Sequence, residues 1–221
     1  MQVVNRCANS PPGLEWQVRR SLRWISQADL EGLALIRLED EMPEVFGGAA
    51  EWAGRVRAAG EAAHVAGWYS PPKADVPAYI MLYVRQVYAA VPSWLWWSTV
   101  PTLRILRTLA HEVAHHLVAT RKYVFRPGEN LEDEESLARC YAAHALERAT
   151  ARWSYKLGRW SLKEIAGWYY AFGNLYWREK KYSTAAAYFF KAWDLDPEHN
   201  EAAYWYWRAK DMLSSGQNGN P

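Results

Sequence analysis

The spacing of hydrophobic residues in the first part of the chain predicts a mixture of helices and strands. Apolar residues at three- to four-residue intervals predict a helix over residues 14–27, and an alanine-rich stretch predicts another over residues 48–62. Short apolar runs predict three strands, at residues 33–38, 64–69 and 78–84. A proline-containing loop joins the last two runs, which is typical of a hairpin with a long connection.

Two strongly periodic helices are predicted after these strands. Ser98 and Pro101 have the chemistry of a helix start, and the helix that follows extends to about Thr120. Asn130 is placed to cap the next helix, over residues 131–150, whose first turn is acidic as the helix dipole favours. The pattern therefore predicts an α+β fold for this part of the chain.

Beyond these helices the strand patterns stop, and tryptophan, tyrosine and phenylalanine become frequent. We therefore predict three segments: an α+β domain at residues 1–150, an all-helical segment at 151–215 and a flexible tail at 216–221. A hydrophobic content of 50% among 221 residues is enough for a real core and argues against general disorder.

Charge and cysteine content narrow the class of protein. The formal net charge is only +2, so no broad basic surface indicates nucleic acid as a partner. Cys7 and Cys140 form no disulfide framework and no metal-binding pair, which favours a reducing compartment. The N-terminus does not resemble a signal peptide, and the most apolar stretch is interrupted by Arg85 and by prolines. We therefore expect a cytoplasmic protein without a membrane span.

A cluster of histidines lies beside the apolar stripe of the helix that follows Ser98. His111 and His115 are separated by about 40° on a helical wheel, so both imidazoles can reach one metal ion. Glu112 lies next to them and is not needed as a ligand. This HExxH arrangement is a zinc-metallopeptidase motif in which the glutamate acts as general base. We predict that His111 and His115 bind Zn2+ and that Glu112 is catalytic.

A catalytic zinc ion usually takes three protein ligands, and the acidic first turn of the next helix offers the third. Glu135 is followed on its face of the helix by Ala138 and Ala142, which would allow this helix to approach the histidine helix closely. Glu134 shares Ala138 but has Tyr141 one turn further on. We predict Glu135 as the third ligand and keep Glu134 as the alternative.

These motifs resemble the gluzincin clan of metallopeptidases, whose third ligand is a glutamate on a following helix. The spacing of glutamate, alanine and tyrosine is similar to that of the HtpX-type and ImmA/IrrE-type families, at Glu135, Ala138, Tyr141 and Ala142. Both families usually have Asp or Asn where this chain has Arg139. The resemblance covers roughly residues 30–150 and implies a small zincin-like domain that hydrolyses peptide bonds.

The same resemblance implies that an antiparallel edge strand receives the peptide substrate. We expect residues 78–84 to be that strand. His116 is expected near the ligands or at the surface rather than on the metal, and His64 is expected to be structural. His116, His144 and several tyrosines stay open as the group that stabilises the oxyanion.

The aromatic C-terminal segment resembles one tetratricopeptide (TPR) repeat. Every step of the TPR pattern is matched, by Gly173, Tyr176, Ala185, Phe189, Ala192 and Pro197. A single repeat cannot bury its own faces, so part of its aromatic surface must be covered. Exposed Tyr170, Asn174 and Trp177 are candidates for binding a protein partner.

Two functions are therefore predicted. In the first, the chain is a zinc metalloendopeptidase that acts on peptide or protein substrates. In the alternative, the metal site is structural and the TPR-like segment carries the function by binding a partner protein.

Overall fold

The chain divides into two compact units that together have mixed α+β structure. The computed structural model describes residues 1–41, 66–89, 91–122 and 131–215, without the side chains of residues 131–133 and 153. The two units are Met1–Tyr155 and Lys156–Pro221, a division close to the predicted one after residue 150. The predicted helix 48–62, the cap at Asn130 and the tail 216–221 lie outside the described residues. Among the described helices, none combines the length and the apolar character needed to cross a membrane.

The first part of the first unit contains the strands together with short helices, and its last part consists of long helices. In chain order its elements are β1 (Gln2–Asn5), α1 (Leu14–Leu22), β2 (Leu33–Glu39), β3 (Gly67–Ser70), β4 (Ala78–Tyr83), α2 (Val84–Tyr88), α3 (Thr99–Ala119) and α4 (Leu131–Thr150). The predicted strands at 33–38 and 78–84 are confirmed. Strand β3 overlaps the predicted strand 64–69 at residues 67–69, and residues 64 and 65 lie outside the described part of the chain. Helix α1 ends five residues early, and β1 and α2 were not predicted.

The sheet has the strand order β1-β2-β4-β3. Strands β1, β2 and β4 are parallel, and β3 runs antiparallel to β4. The expectation that residues 78–84 form the edge strand is therefore wrong, because β4 lies between β2 and β3. Residues Ile80 to Tyr83 are all buried, as expected for a central strand with both faces covered. Among the described strands, β3 is the outer one on this side.

Helix α3 is the central element of the first unit and packs against β3, β4 and α1. The predicted cap is confirmed: the Ser98 side chain accepts a hydrogen bond of 3.1 Å from the backbone N–H of Val100. The Ser21 hydroxyl of α1 donates a 2.9 Å hydrogen bond to the Thr102 carbonyl. Because burial surrounds the first two turns of α3, its position and its rotation about its own axis are both determined by packing.

Helix α4 packs along α3 through small residues. Four buried alanines recur along it at intervals of three and four residues, at Ala138, Ala142, Ala145 and Ala149. Alanine side chains allow two helix backbones to approach closely, as predicted for the face below Glu135. The larger Tyr141 lies off this seam, and its hydroxyl donates a hydrogen bond to Asp29. The close approach brings the acidic first turn of α4 to the polar side of α3.

The second unit is built from the rest of helix α5 (Trp153–Arg178), α6 (Tyr182–Leu195) and α7 (Asn200–Ser214). Its core combines small and aromatic side chains, namely Ala185, Ala186, Phe189, Tyr206 and Ala209. Gly173 of α5 faces Phe189 of α6, where a Cβ atom would come within 2.5 Å of the ring. Residues of the repeat pattern therefore make the contact between α5 and α6.

The prediction that Tyr170, Asn174 and Trp177 are exposed is wrong, because all three are half-buried. The Tyr170 ring lies 4.7 Å from the His199 ring, and the Trp177 ring lies 4.9 Å from the Trp205 ring, between ring centroids. Asn174 is hydrogen-bonded to Tyr170. Aromatic side chains on this face of α5 are attracted to the rings of α7, so the face packs in part inside the unit.

Two glycines of helix α5 test this packing. Gly173→Ala should destabilise the chain by about 1–3 kcal/mol, because the new methyl group overlaps the Phe189 ring. Gly167→Ala in the same helix should instead stabilise it by about 0.5–1 kcal/mol, because no atom lies within 4 Å of the added methyl group. Free energies of unfolding from urea titrations measure both changes. Similar effects of the two substitutions would contradict the α5–α6 contact.

Candidate metal centre

Three potential ligand atoms from helices α3 and α4 converge on one point. The Nε2 atoms of His111 and His115 are 3.3 Å apart. The Glu135 carboxylate lies 3.5 Å from each of them, with Oε2 facing His111 and Oε1 facing His115. In the described part of the chain, these residues form the one group of at least three His, Cys, Asp or Glu side chains that could hold a metal ion.

The separation between the two imidazole nitrogens agrees with tetrahedral coordination. Zinc binds imidazole nitrogen at about 2.0–2.1 Å, so neighbouring ligand atoms of a tetrahedral site lie about 3.4 Å apart. The two Nε2 atoms are 3.3 Å apart, and each lies 3.5 Å from a different oxygen of the Glu135 carboxylate. All three side chains are half-buried, which leaves solvent access for a fourth ligand. The donor set of two nitrogens and one oxygen therefore fits zinc in both chemistry and spacing.

Glu134 lies on the opposite side of the His115 ring from the point of convergence. Its Oε1 is 2.6 Å from Nδ1 of His115. With Nδ1–H donating to this carboxylate, the lone pair on Nε2 is directed toward His111 and Glu135. Carboxylates that hold a ligand histidine by its other nitrogen orient the ring and raise its basicity. Sequence analysis kept Glu134 as the alternative to Glu135 for the third ligand, and the two carboxylates thus occupy different positions.

The electrostatic surroundings of the two histidines differ. Burial lowers the pKa of His111 to about 4, which keeps this imidazole neutral. Burial also opposes the charged form of His115. Hydrogen bonds and charges from Glu135, Glu112 and Glu134 outweigh it and raise the pKa of His115 to about 9. Hydrogen bonding to His115 in turn lowers the pKa of Glu135. The carboxylates therefore favour positive charge at this point of the structure.

Glu112 lies under strand β3 and takes no part in the convergence. Its side chain is 7% exposed, and burial raises the pKa of its carboxyl group to about 7. The carboxylate accepts a hydrogen bond from the backbone N–H of Tyr69, which partly opposes that shift. A carboxyl group with a pKa near neutrality can both accept and release a proton under physiological conditions.

Strand β3 can approach Glu112 only because residue 67 is glycine. A Cβ atom at Gly67 would lie 2.6 Å from Cγ2 of Thr108 and 3.0 Å from Oε1 of Glu112. Real Cβ atoms do not come this close to other heavy atoms, since packed interiors resist overlap. The glycine thus sets the distance between the outer strand of the sheet and the polar side of α3.

His116 is completely buried and belongs to the scaffold of the site. Its Nε2–H donates to the Glu31 carbonyl at 3.0 Å, and its Nδ1 accepts from the Tyr69 hydroxyl at 3.2 Å. Burial lowers the pKa of His116, so this ring is neutral and uses both nitrogens for neutral hydrogen bonds. His116 was predicted to lie near the ligands or at the surface, and the surface location is wrong. Tyr69 therefore connects β3 to α3 twice, through its hydroxyl and through its backbone N–H.

Sequence reasoning missed Gly67, Tyr69 and the position of Glu134 on the far side of His115. The apolar run 64–69 predicted a strand, but nothing in it showed that this strand lies against α3. His144 is exposed and forms no part of the cluster. His64 lies outside the described residues, and the group that would stabilise an oxyanion stays unassigned.

Comparisons with family models, with curated proteins and with solved structures find no match for this chain.

The contact between β3 and α3 can be tested at Gly67. Gly67→Ala should destabilise the chain by about 1–3 kcal/mol, because the added methyl group overlaps Thr108. Combining it with Thr108→Ser, which removes Cγ2, should recover part of that loss. Urea unfolding of both single variants and of the double variant gives the coupling free energy. Strictly additive effects would show that the two residues are not in contact.

Proposed function

We propose that the chain is a zinc metalloendopeptidase of gluzincin type that acts on peptide or protein substrates in the cytoplasm. His111, His115 and Glu135 hold the ion, and Glu112 is the general base. The observation that carries the proposal is the convergence of these three side chains, with the two Nε2 atoms 3.3 Å apart and a Glu135 carboxylate oxygen 3.5 Å from each. A His, His, Glu donor set is typical of catalytic zinc, whereas structural zinc sites are usually closed by four protein ligands.

The described side chains include candidates for the ligands of the ion, for the general base and for the group that orients a ligand histidine. A bound zinc ion supplies Lewis-acid chemistry and makes a water molecule acidic near neutral pH. Glu112 accepts the proton of the attacking water and delivers it to the leaving amine. Burial and the Tyr69 N–H hold this carboxylate in place. Glu134 holds His115 so that its Nε2 faces the other ligands.

Strand β3 takes over the substrate role that the sequence assigned to residues 78–84. It is the outer described strand, and it lies directly above Glu112. An extended peptide can add to such an edge by backbone hydrogen bonds, as in other cases of strand addition. A peptide added in this way would run close to Glu112.

The ligand assignment predicts an order of zinc affinities. Wild type should bind one zinc ion per chain. Glu134→Gln should weaken binding by about 10–100-fold, as for other groups that orient a ligand histidine. Glu135→Gln should weaken it further, since a ligand is lost. Glu147→Gln, a change at an exposed glutamate of the same helix, should have no effect.

Competition titrations against a chelating dye measure these affinities. A larger loss for Glu134→Gln than for Glu135→Gln would reverse the two roles. Equal zinc affinities in all four proteins would show that α4 contributes no group to the site.

The general base is tested by Glu112→Gln. The amide is nearly isosteric and its oxygen can still accept the hydrogen bond from Tyr69, so folding and zinc content should be unchanged. Hydrolysis of an unfolded protein substrate should fall by about 10²–10⁴-fold in kcat, because the amide cannot take a proton. Unchanged hydrolysis would contradict the role of Glu112, and loss of zinc would contradict its separation from the ligands.

A second candidate function is binding of a protein through a TPR-like second unit. It is favoured by the large hydrophobic side chains that this unit leaves exposed on α5, including Trp160 and Trp168. If this function is the main one, Glu112→Gln leaves the cellular role of the chain intact. Replacing the exposed aromatic side chains then abolishes that role.

A further inference from the structure

One face of helix α5 carries a stripe of exposed large hydrophobic side chains. They are spaced by three, four or eight residues and are 46–62% exposed: Leu157, Trp160, Trp168, Phe172 and Leu175. We call these five residues the α5 stripe. At 100° per residue they lie within about 60° of one line along the helix, over a length of about 27 Å. All five belong to the second unit.

The exposed area of the stripe is large for a free surface. With full side-chain areas of about 150–250 Å² for aromatic residues, the five side chains leave roughly 500 Å² of apolar surface in contact with water per chain. The largest apolar patch of a typical monomer is about 300–600 Å², and patches of this size often mark binding sites. Two such stripes together bury about 1,000 Å², the area that a specific interface must reach.

When the exposed residue Glu164 is taken together with the stripe, the spacing reads the same in both directions, with intervals of three, four, four, four and three residues. The intervals from either end pair Leu157 with Leu175 and Trp160 with Phe172, about a centre at residue 166. Two copies of this helix packed antiparallel about that centre would therefore place leucine against leucine and one aromatic ring against another. A stripe made for an unrelated partner has no reason to have this symmetry, whereas a twofold interface between identical chains requires self-complementarity.

The polar position inside the stripe follows the same symmetry. Glu164 is exposed on the same line and pairs, about residue 166, with Trp168 of the second copy. The indole N–H of tryptophan is a donor only, and a carboxylate is an acceptor only. The one charged residue at the middle of the stripe thus has a suitable partner in the antiparallel arrangement.

We propose that the α5 stripe is a homodimer interface in which helix α5 packs antiparallel against α5 of a second copy. The partner surface is the same apolar stripe on a second copy of the chain. The proposal does not depend on the metal centre. Helical repeats need polar outer faces at their ends for solubility. A second copy would cover the apolar outer face of α5 without any further repeat.

Sedimentation equilibrium of the full chain tests the interface. Wild type should be dimeric at micromolar concentrations. Trp168→Glu should raise the dimer dissociation constant at least about 30-fold, because it removes a central aromatic residue and places two carboxylates together. Trp97→Glu is the matched control: Trp97 is 78% exposed and lies outside the stripe, so its replacement should have no effect.

A wild-type chain that stays monomeric overturns the proposal, whether or not it binds vesicles or other proteins. Equal effects of the two tryptophan substitutions also overturn it. Circular dichroism of both variants checks that they are folded.

Engineered cysteines test the antiparallel register in a chain with Cys7→Ser and Cys140→Ser. Leu157→Cys together with Leu175→Cys should give a disulfide-linked dimer on mild oxidation. Either change alone should not, because identical positions of the two copies lie about 27 Å apart, far beyond disulfide reach. Linked dimers from the single variants, or none from the double variant, would overturn the register.

Discussion

The candidate metal centre depends on how closely helix α4 approaches helix α3. A seam of buried alanines on α4, from Ala138 to Ala149, permits this approach. It places the Glu135 carboxylate 3.5 Å from His111 and from His115 of the neighbouring helix. A larger side chain in this seam would separate the helices and pull the carboxylate away from the imidazoles. The two histidines share one rigid helix, so α3 alone sets their spacing. The alanine seam sets the position of Glu135 relative to them and so brings the three donors together.

Strand β3 imposes a second constraint on the other side of α3. Gly67 lets the strand lie against Thr108 and Glu112, and Tyr69 fixes it through hydrogen bonds to Glu112 and His116. Buried Glu112, the half-buried candidate ligands and strand β3 therefore lie around one stretch of helix. The five-position motif on α3 is therefore supported from two sides, by α4 and by β3. In the second unit, one face of α5 packs inside the unit and the opposite face stays apolar and exposed.

Local spacing predicted much of this structure, and contacts between distant segments account for what it missed. His111, Glu112 and His115 follow from periodicity within one helix, and Glu135 follows from the alanines behind it. The sheet order, by contrast, depends on pairing between segments more than thirty residues apart, such as Val3 with Ile36. That is why β4 was taken for an edge. The half-buried state of Trp177 likewise depends on Trp205, which no local pattern reveals.

X-ray absorption at the zinc edge of the chain loaded with one equivalent of zinc tests the central claim most directly. The account predicts four nitrogen or oxygen ligands at about 2.0–2.1 Å, with outer-shell scattering from two imidazoles. His115→Ala should reduce that scattering to one imidazole. A sulfur ligand at about 2.3 Å, from Cys7 or Cys140, or a zinc ion surrounded by water alone, would contradict the assignment of His111, His115 and Glu135.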